Sequence, residues 1–214
     1  MFCFAGGFCL YMGGDSESPM NVPNRLTISR LFLTLAFLAV IFAKPKYYET
    51  ISLALFSTAS LTDYFDGKIA RRDGLITNFG ILMDPLADKI LVCSAFIAFV
   101  GCGWTPAWMV VIVVARELAI TGLRLLAASQ NLVLAAERFG KHKTISQIVA
   151  IVSVLVLYSY KQWGVVGNLF SLPIIWGPWV DWFAKLSLWV AVILTFTSGA
   201  IYLWRNRRLY LADL

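Results

Sequence analysis

The 214-residue chain holds one histidine and four cysteines, and only 14% of its residues are charged. Cys3, Cys9, Cys93 and Cys102 form no CxxC pair and have no histidine set beside them. That pattern argues against a zinc site or a disulfide framework and leaves them as small apolar side chains. No stretch interleaves aromatic and basic residues as a nucleic-acid module would, so the net charge of +6 implies no nucleic-acid partner. No internal repeat or low-complexity segment is present. Met1 to Pro19 has no basic residue, and its apolar run is too short to span a bilayer, so a signal or transit peptide is not expected there. These residues are expected to be a non-functional upstream extension, with the domain proper at 20–214. What the chain has in excess is apolar surface. A hydrophobic content of 59% and a mean hydropathy of +0.75 indicate an integral membrane protein.

The fold class expected is all-α, with six transmembrane helices. The first span centres on Leu31–Ala43, extended from Leu26, and breaks at Lys44, Pro45 and Lys46. The second begins near Tyr47 and runs on through Arg72. The third covers Gly80–Gly101, and the GCGWTP connector leads to a fourth over Ala107–Ala128. A charged loop with Glu137, Arg138, Lys141, His142 and Lys143 precedes a fifth span over Thr144–Tyr160. An irregular Gly/Pro/Trp connector then ends near Trp179, and the sixth span covers Phe183–Trp204.

Six spans place both termini on one side. Arg25, Arg30, Lys68, Arg71, Arg72, Arg124, Arg138, Lys141, Lys143, Arg205, Arg207 and Arg208 fall on that side, against Lys44, Lys46, Lys161 and Lys185 on the other. By the positive-inside rule both termini face the cytosol. Trp104, Trp108, Trp163, Trp176, Trp179 and Trp182 gather at the opposite interface as an aromatic belt.

Five of the twelve acidic residues lie between Asp63 and Asp88. Asp63 and Asp66 are three apart and Asp84 and Asp88 four apart, so each pair projects from one face of its own helix. The basic turn between them lets the helices fold back and gather four carboxylates, which repel one another unless cations hold them. Oxygen ligands without Cys or His select hard cations, Mg²⁺ or Mn²⁺. Four carboxylates beside arginines suit two metals bridging a diphosphate. Gly67 and Ala70 continue the stripe of Asp63 and Asp66 and leave it bare for close approach of a ligand, while Arg71 is placed to meet an anion. Gly80 begins the matching stripe on the third span. Asp73 lies outside this pattern and is expected to pair with Arg71 or Arg72. Ionisable groups at such depth usually mark function.

The spacing D-x2-D-G-x2-A-R-x8-G-x3-D-x3-D resembles the signature of the CDP-alcohol phosphotransferases, six-span membrane enzymes of phospholipid synthesis. The resemblance implies displacement of CMP from a CDP-linked lipid by an acceptor hydroxyl attacking the β-phosphorus. By position, Asp63, Asp66 and Asp84 would be metal ligands. Asp88 would complete the cluster and act as general base. Asp66, Gly67, Ala70, Arg71 and Gly80 would receive the CDP-lipid, joined by Asn24 and Thr27 from the segment MNVPNRLTISR. Arg30 in that segment would face the pocket or anchor headgroups. Family members often form homodimers, so a homodimer in a cytoplasmic (inner) membrane is implied, with the active site facing the cytosol.

MNVPNRLTISR, DPLADKILV, PAWMVVIVVARELAITGLR and FGKHKTISQIVA are similar to the branch that joins CDP-diacylglycerol to sn-glycerol 3-phosphate. The residues agree with a phosphorylated acceptor. Arg116 lies inside the fourth span, Arg124 two turns nearer the cytosol, and Lys141 and Lys143 begin the fifth span on the same side. Together they form a basic pocket beside the acidic site. Thr144 and Gln147 would line it, and Glu117 is expected to pair with one of the arginines, since an unpaired charge there is costly. His142 reads as a solvated loop residue. Three other readings remain open, one of them a non-catalytic membrane scaffold that retained the fold. A cardiolipin synthase would use the same motif with phosphatidylglycerol as acceptor. A cation transporter would use the carboxylates as an ion site, although the outer halves of these spans are nearly uncharged.

Overall fold

In the computed structural model the backbone is described for residues 22–73, 78–129, 139–174 and 177–207. Within those ranges the side chains of 22–27, 63–73, 78–88, 125, 128–129, 139–142, 173–174 and 177 lie outside the description. The amino-terminal extension, Trp176 and Arg208 also lie outside the described residues.

Six long helices carry the fold: α1 (Val22–Ala43), α2 (Tyr48–Asp73), α3 (Asn78–Gly101), α4 (Ala107–Ser129), α5 (Phe139–Ser159) and, after a short α6 (Val165–Phe170), α7 (Trp179–Arg205). The expected breaks hold. Around Pro45 the backbone turns left-handed at Lys44 and Tyr47, with φ of 49° and 64°. Two details differ from the sequence reading. Helix α5 starts at Phe139, so Lys141, His142 and Lys143 belong to its first turns rather than to a loop. The connector before α7 is also more regular than expected. It contains a 3₁₀ turn (Tyr160–Gln162), α6 and a two-residue hairpin in which β1 (Pro173–Ile174) pairs antiparallel with β2 (Gly177–Pro178).

Lys143–Gln162 and Trp179–Arg205 are long and apolar enough to cross a membrane. Among the described residues the apolar stretches of α1 and α3 are shorter, Ile28–Ala43 and Lys89–Gly101. Helix α4 carries Arg116, Glu117 and Arg124 along its length.

Helix α1 packs against both α2 and α3, α5 against α2, α3 and α7, and α4 against α3 and α7. Phe37, Phe56, Phe96 and Phe99 are fully buried where the first three helices meet, with the Phe37 and Phe56 rings 6.1 Å apart. Ile151, Leu155, Ala191 and Val192 extend this core between α5 and α7. The outward faces are as apolar as the inward ones: Phe32, Leu35, Leu61, Ile97, Val111, Leu118, Ile145, Leu186, Ile193 and Phe196 are all exposed. A helix apolar on every side needs an apolar surround, which agrees with the membrane-crossing length and composition of Lys143–Gln162 and Trp179–Arg205.

At the end of the bundle where α2 begins and α5 finishes, Trp104 stacks on Tyr158 at 4.2 Å. Thr50 donates to Gln162 Oε1 at 2.7 Å and accepts from Trp163 Nε1 at 3.1 Å. Toward the other end lie the ionisable residues Lys89, Glu117 and Lys143.

Candidate active site

The eight positions of the acidic motif lie on two helices, Asp63, Asp66, Gly67, Ala70 and Arg71 on α2, and Gly80, Asp84 and Asp88 on α3. Their side chains lie outside the described residues, so their placement rests on the helix backbone. Residues 74–77 separate the two helices, and a connector that short keeps Asp73 and Asn78 within about 18 Å of each other. Counting back from Asp73, Asp66 and Asp63 lie about 10 and 15 Å along α2; counting on from Asn78, Asp84 and Asp88 lie about 9 and 15 Å along α3. Measured along their own helices, the two pairs therefore lie at similar distances from the helix ends that adjoin residues 74–77. Carboxylates without Cys or His are a donor set that fits hard divalent cations. Among the described residues no group of three or more acids, cysteines and histidines is placed to hold a metal.

Beside this end lies a buried polar cluster built from α4, α5 and α7. Glu117 is buried, and its Oε1 receives the Lys143 ammonium, also buried, in a close ion pair. The same oxygen meets Arg116 Nη1 at 3.4 Å and Gln147 Nε2 at 3.4 Å. The contact follows from spacing, because Lys143 and Gln147 are one turn apart on α5 and share a face. Gln147 Nε2 also donates to Thr195 Oγ1 at 3.1 Å, and Arg116 Nη2 to Ser198 Oγ at 3.4 Å. Gly199 completes this wall. A methyl group in its place would fall 2.6 Å from Arg116 Cγ, so the arginine stem lies where only glycine leaves room. A charge buried this deep is tolerated because each is met by an opposite charge or a hydrogen-bonding side chain.

The cluster is tied to the acidic motif through Lys89, the residue after Asp88. Its ammonium donates to Thr121 Oγ1, and Thr121 in turn donates to the Glu117 carbonyl at 2.7 Å. The helix bearing Asp84 and Asp88 is thereby pinned to α4 one turn from Glu117.

Of the residues expected around an acceptor phosphate, Arg116, Lys143 and Gln147 meet at Glu117, and Thr144 is half-buried next to Lys143 on α5. Arg124 is not part of that contact set. It lies exposed on α4 with its guanidinium 5.8 Å over the Tyr202 ring, so it faces α7 as Arg116 does but further toward the helix end. The side chains of Lys141, Asn24 and Thr27 lie outside the described residues. Arg30 is buried within the bundle, which removes it from the headgroup layer. Thr195, Ser198 and Gly199 were not foreseen. Their signal is a polar and small stripe at i, i+3 and i+4 in a span otherwise read as generic.

A family model described as CDP-alcohol phosphatidyltransferase matches residues 20–197. The chain is 41% identical over 198 residues to the CDP-diacylglycerol–glycerol-3-phosphate 3-phosphatidyltransferase of Bacillus subtilis (strain 168), an alignment covering 87% of this chain and 95% of that protein. It is 36% identical over 191 residues to a probable phosphatidylglycerophosphate synthase of Mycobacterium tuberculosis (strain H37Rv), covering 88% of this chain and 82% of the relative. A Rickettsia typhi protein with the same name as the Bacillus one is 32% identical over 182 residues, covering 85% and 94%.

Proposed function

The chain belongs to the CDP-alcohol phosphatidyltransferase family, and from that premise we propose that it transfers the phosphatidyl group of CDP-diacylglycerol to sn-glycerol 3-phosphate. The products are phosphatidylglycerophosphate and CMP. The observation that carries the choice of acceptor is the buried meeting of Arg116, Lys143 and Gln147 around Glu117, pinned beside the Asp88 helix. An inositol or serine acceptor without a phosphate would have no use for two cations held at that depth.

In this reading residues 20–214 form the catalytic domain, a six-span bundle in the inner membrane with both termini and the site in the cytosol. Support comes from two helices long and apolar enough to cross a membrane, four further long helices, the outward apolar faces and the skew of basic residues. Asp63, Asp66, Asp84 and Asp88 would hold two divalent cations, Mg²⁺ or Mn²⁺; proteins of this family generally depend on divalent metal. When bound, the cations neutralise the diphosphate and favour departure of CMP. Asn24, Thr27, Asp66, Gly67, Ala70, Arg71 and Gly80 receive the nucleotide and diphosphate. Arg116, Lys143, Thr144 and Gln147 hold the acceptor phosphate, with Lys141 and Arg124 at the mouth. Asp88 accepts the proton of the attacking hydroxyl, whose oxygen bonds to the β-phosphorus as the bond to the CMP oxygen breaks. Glu117 keeps its two cations oriented and the pocket from collapsing. A homodimer is compatible with the exposed apolar faces.

The test is CMP release by purified protein with CDP-diacylglycerol and Mg²⁺, comparing sn-glycerol 3-phosphate, inositol phosphate and phosphatidylglycerol as acceptors. Product with glycerol 3-phosphate alone is expected; robust product with another acceptor and none with glycerol 3-phosphate would overturn the assignment. Asp88→Asn is expected to lower turnover by about 10²- to 10⁴-fold, the range of a general base, while CDP-diacylglycerol binding persists. Loss of donor binding equal to that of Asp84→Asn would count against a separate base role.

A further inference from the structure

The stretch from Trp163 to Pro178 joins the two helices that are long and apolar enough to cross a membrane, Lys143–Gln162 and Trp179–Arg205. When those helices span, the stretch lies at a membrane surface, at the end of α5 opposite Lys143. Connecting segments that face water are normally polar. This one has no charged residue from Gln162 to Val180, and charge returns only at its edges, in Lys161 and in the Lys185–Asp181 ion pair at 2.7 Å.

Its apolar side chains point outward. Val165 is 85% exposed, Val166 57%, Leu169 63% and Leu172 54%. This exposure belongs to a tightly seated element. Gly167 lets α6 press onto the preceding turn, where an added methyl would fall 2.2 Å from the Tyr160 carbonyl oxygen. A ladder of rings fixes the other side, with Trp163 to Phe170 at 5.4 Å, Phe170 to Trp179 at 5.6 Å and Trp179 to Phe183 at 6.2 Å. Two indole N–H groups are satisfied within the protein, Trp179 on the Leu169 carbonyl at 2.8 Å and Trp163 on Thr50 at 3.1 Å. Among the described residues the outer surface of the stretch offers mostly hydrocarbon and ring edges, with Asn168 as its exposed polar side chain.

We propose that this connector is a membrane-inserted platform, with Val165, Val166, Leu169 and Leu172 seated in the acyl boundary of the leaflet away from the catalytic site. Lys161 and Lys185 mark the headgroup level at its edges. The occupant is phospholipid, because the surface is continuous with the two spans on either side and carries no charge, and the exposed Asn168 is an uncharged amide that the interfacial layer accommodates. One consequence is positional. The platform fixes the depth of α5 and α7, the helices that carry Lys143, Gln147, Thr195 and Gly199.

The test uses full-length protein in phosphatidylcholine–phosphatidylglycerol vesicles. Native cysteines are replaced by alanine, and a nitroxide is attached at Val166→Cys or Leu169→Cys. Lys44→Cys serves as a reference in the charged turn between α1 and α2. Both connector positions face outward, so the label displaces no packing, and the two report independently. Collisions with dissolved oxygen are expected to exceed those with a water-soluble nickel chelate at 166 and 169, with the order reversed at 44. A chelate-dominated signal at 166 and 169 would place the stretch in water and overturn the proposal. Low collision with both reagents, together with spin–spin broadening, would assign the surface to a second copy of the chain and overturn it equally.

Discussion

Asp84→Asn and Asp66→Asn each abolish CMP release, with an expected loss of about 10³-fold or more. Asparagine keeps the shape of the side chain and removes the charge, so the fold is preserved while the site loses a ligand for a hard cation. Both residues sit about 9 to 10 Å along their helices from the ends that adjoin residues 74–77. Added chelator should silence the parent protein in the same way, with recovery on excess Mg²⁺ or Mn²⁺. Circular dichroism and elution volume in detergent should match the parent. Activity within tenfold of the parent for both variants would remove these residues from the metal set.

Glu117→Ala is expected to be the most destabilising single change in the described part of the bundle, by about 3–5 kcal/mol. Its carboxylate is shared by Lys143, Arg116 and Gln147, all buried or half-buried. Deleting it removes the charge that offsets two cations at membrane depth and opens a cavity beside Gln147. Lys143 would then draw α5 toward the aqueous end. The measurement is the thermal midpoint in detergent. Glu117→Asp should recover part of the loss, because a shorter carboxylate still reaches one cation. A midpoint unchanged in Glu117→Ala would show that the cluster contributes little to holding α4, α5 and α7 together.

The acidic motif was legible because its logic is local. Asp63 to Asp88 occupy two consecutive helices, and a fixed spacing on each decides which positions share a face. Helix limits were readable for the same reason, since Pro45 and the GCGWTP connector break the chain where α1 and α3 finish. Arg116, Glu117, Lys143 and Gln147 were also found, because charges inside apolar spans stand out against their background. Their exact partners were not. Gln147 meets Thr195 across 48 residues of sequence and Arg116 meets Ser198 across 82, and nothing local distinguishes a threonine that lines a site from one that caps its own helix carbonyl. Thr197 illustrates the point: two residues from Thr195, it donates to the Ile193 carbonyl at 2.8 Å and stays exposed. Arg124 shows the converse difficulty. Its spacing from Arg116 brings both to α7, yet only burial distinguishes the inner arginine from the one lying over Tyr202. The order within the connector before α7 was hidden as well, because it depends on Gly167 meeting a carbonyl in another turn rather than on periodicity.

The proposed site has a donor half on α2 and α3 and an acceptor half on α4, α5 and α7. The KM values of Lys143→Gln for each substrate, measured with the other saturating, test that division directly. Loss of a charge-assisted contact to a phosphate should raise the KM for sn-glycerol 3-phosphate by about 10- to 100-fold, with the KM for CDP-diacylglycerol unchanged. An unaltered KM for glycerol 3-phosphate, or a rise confined to CDP-diacylglycerol, would contradict it.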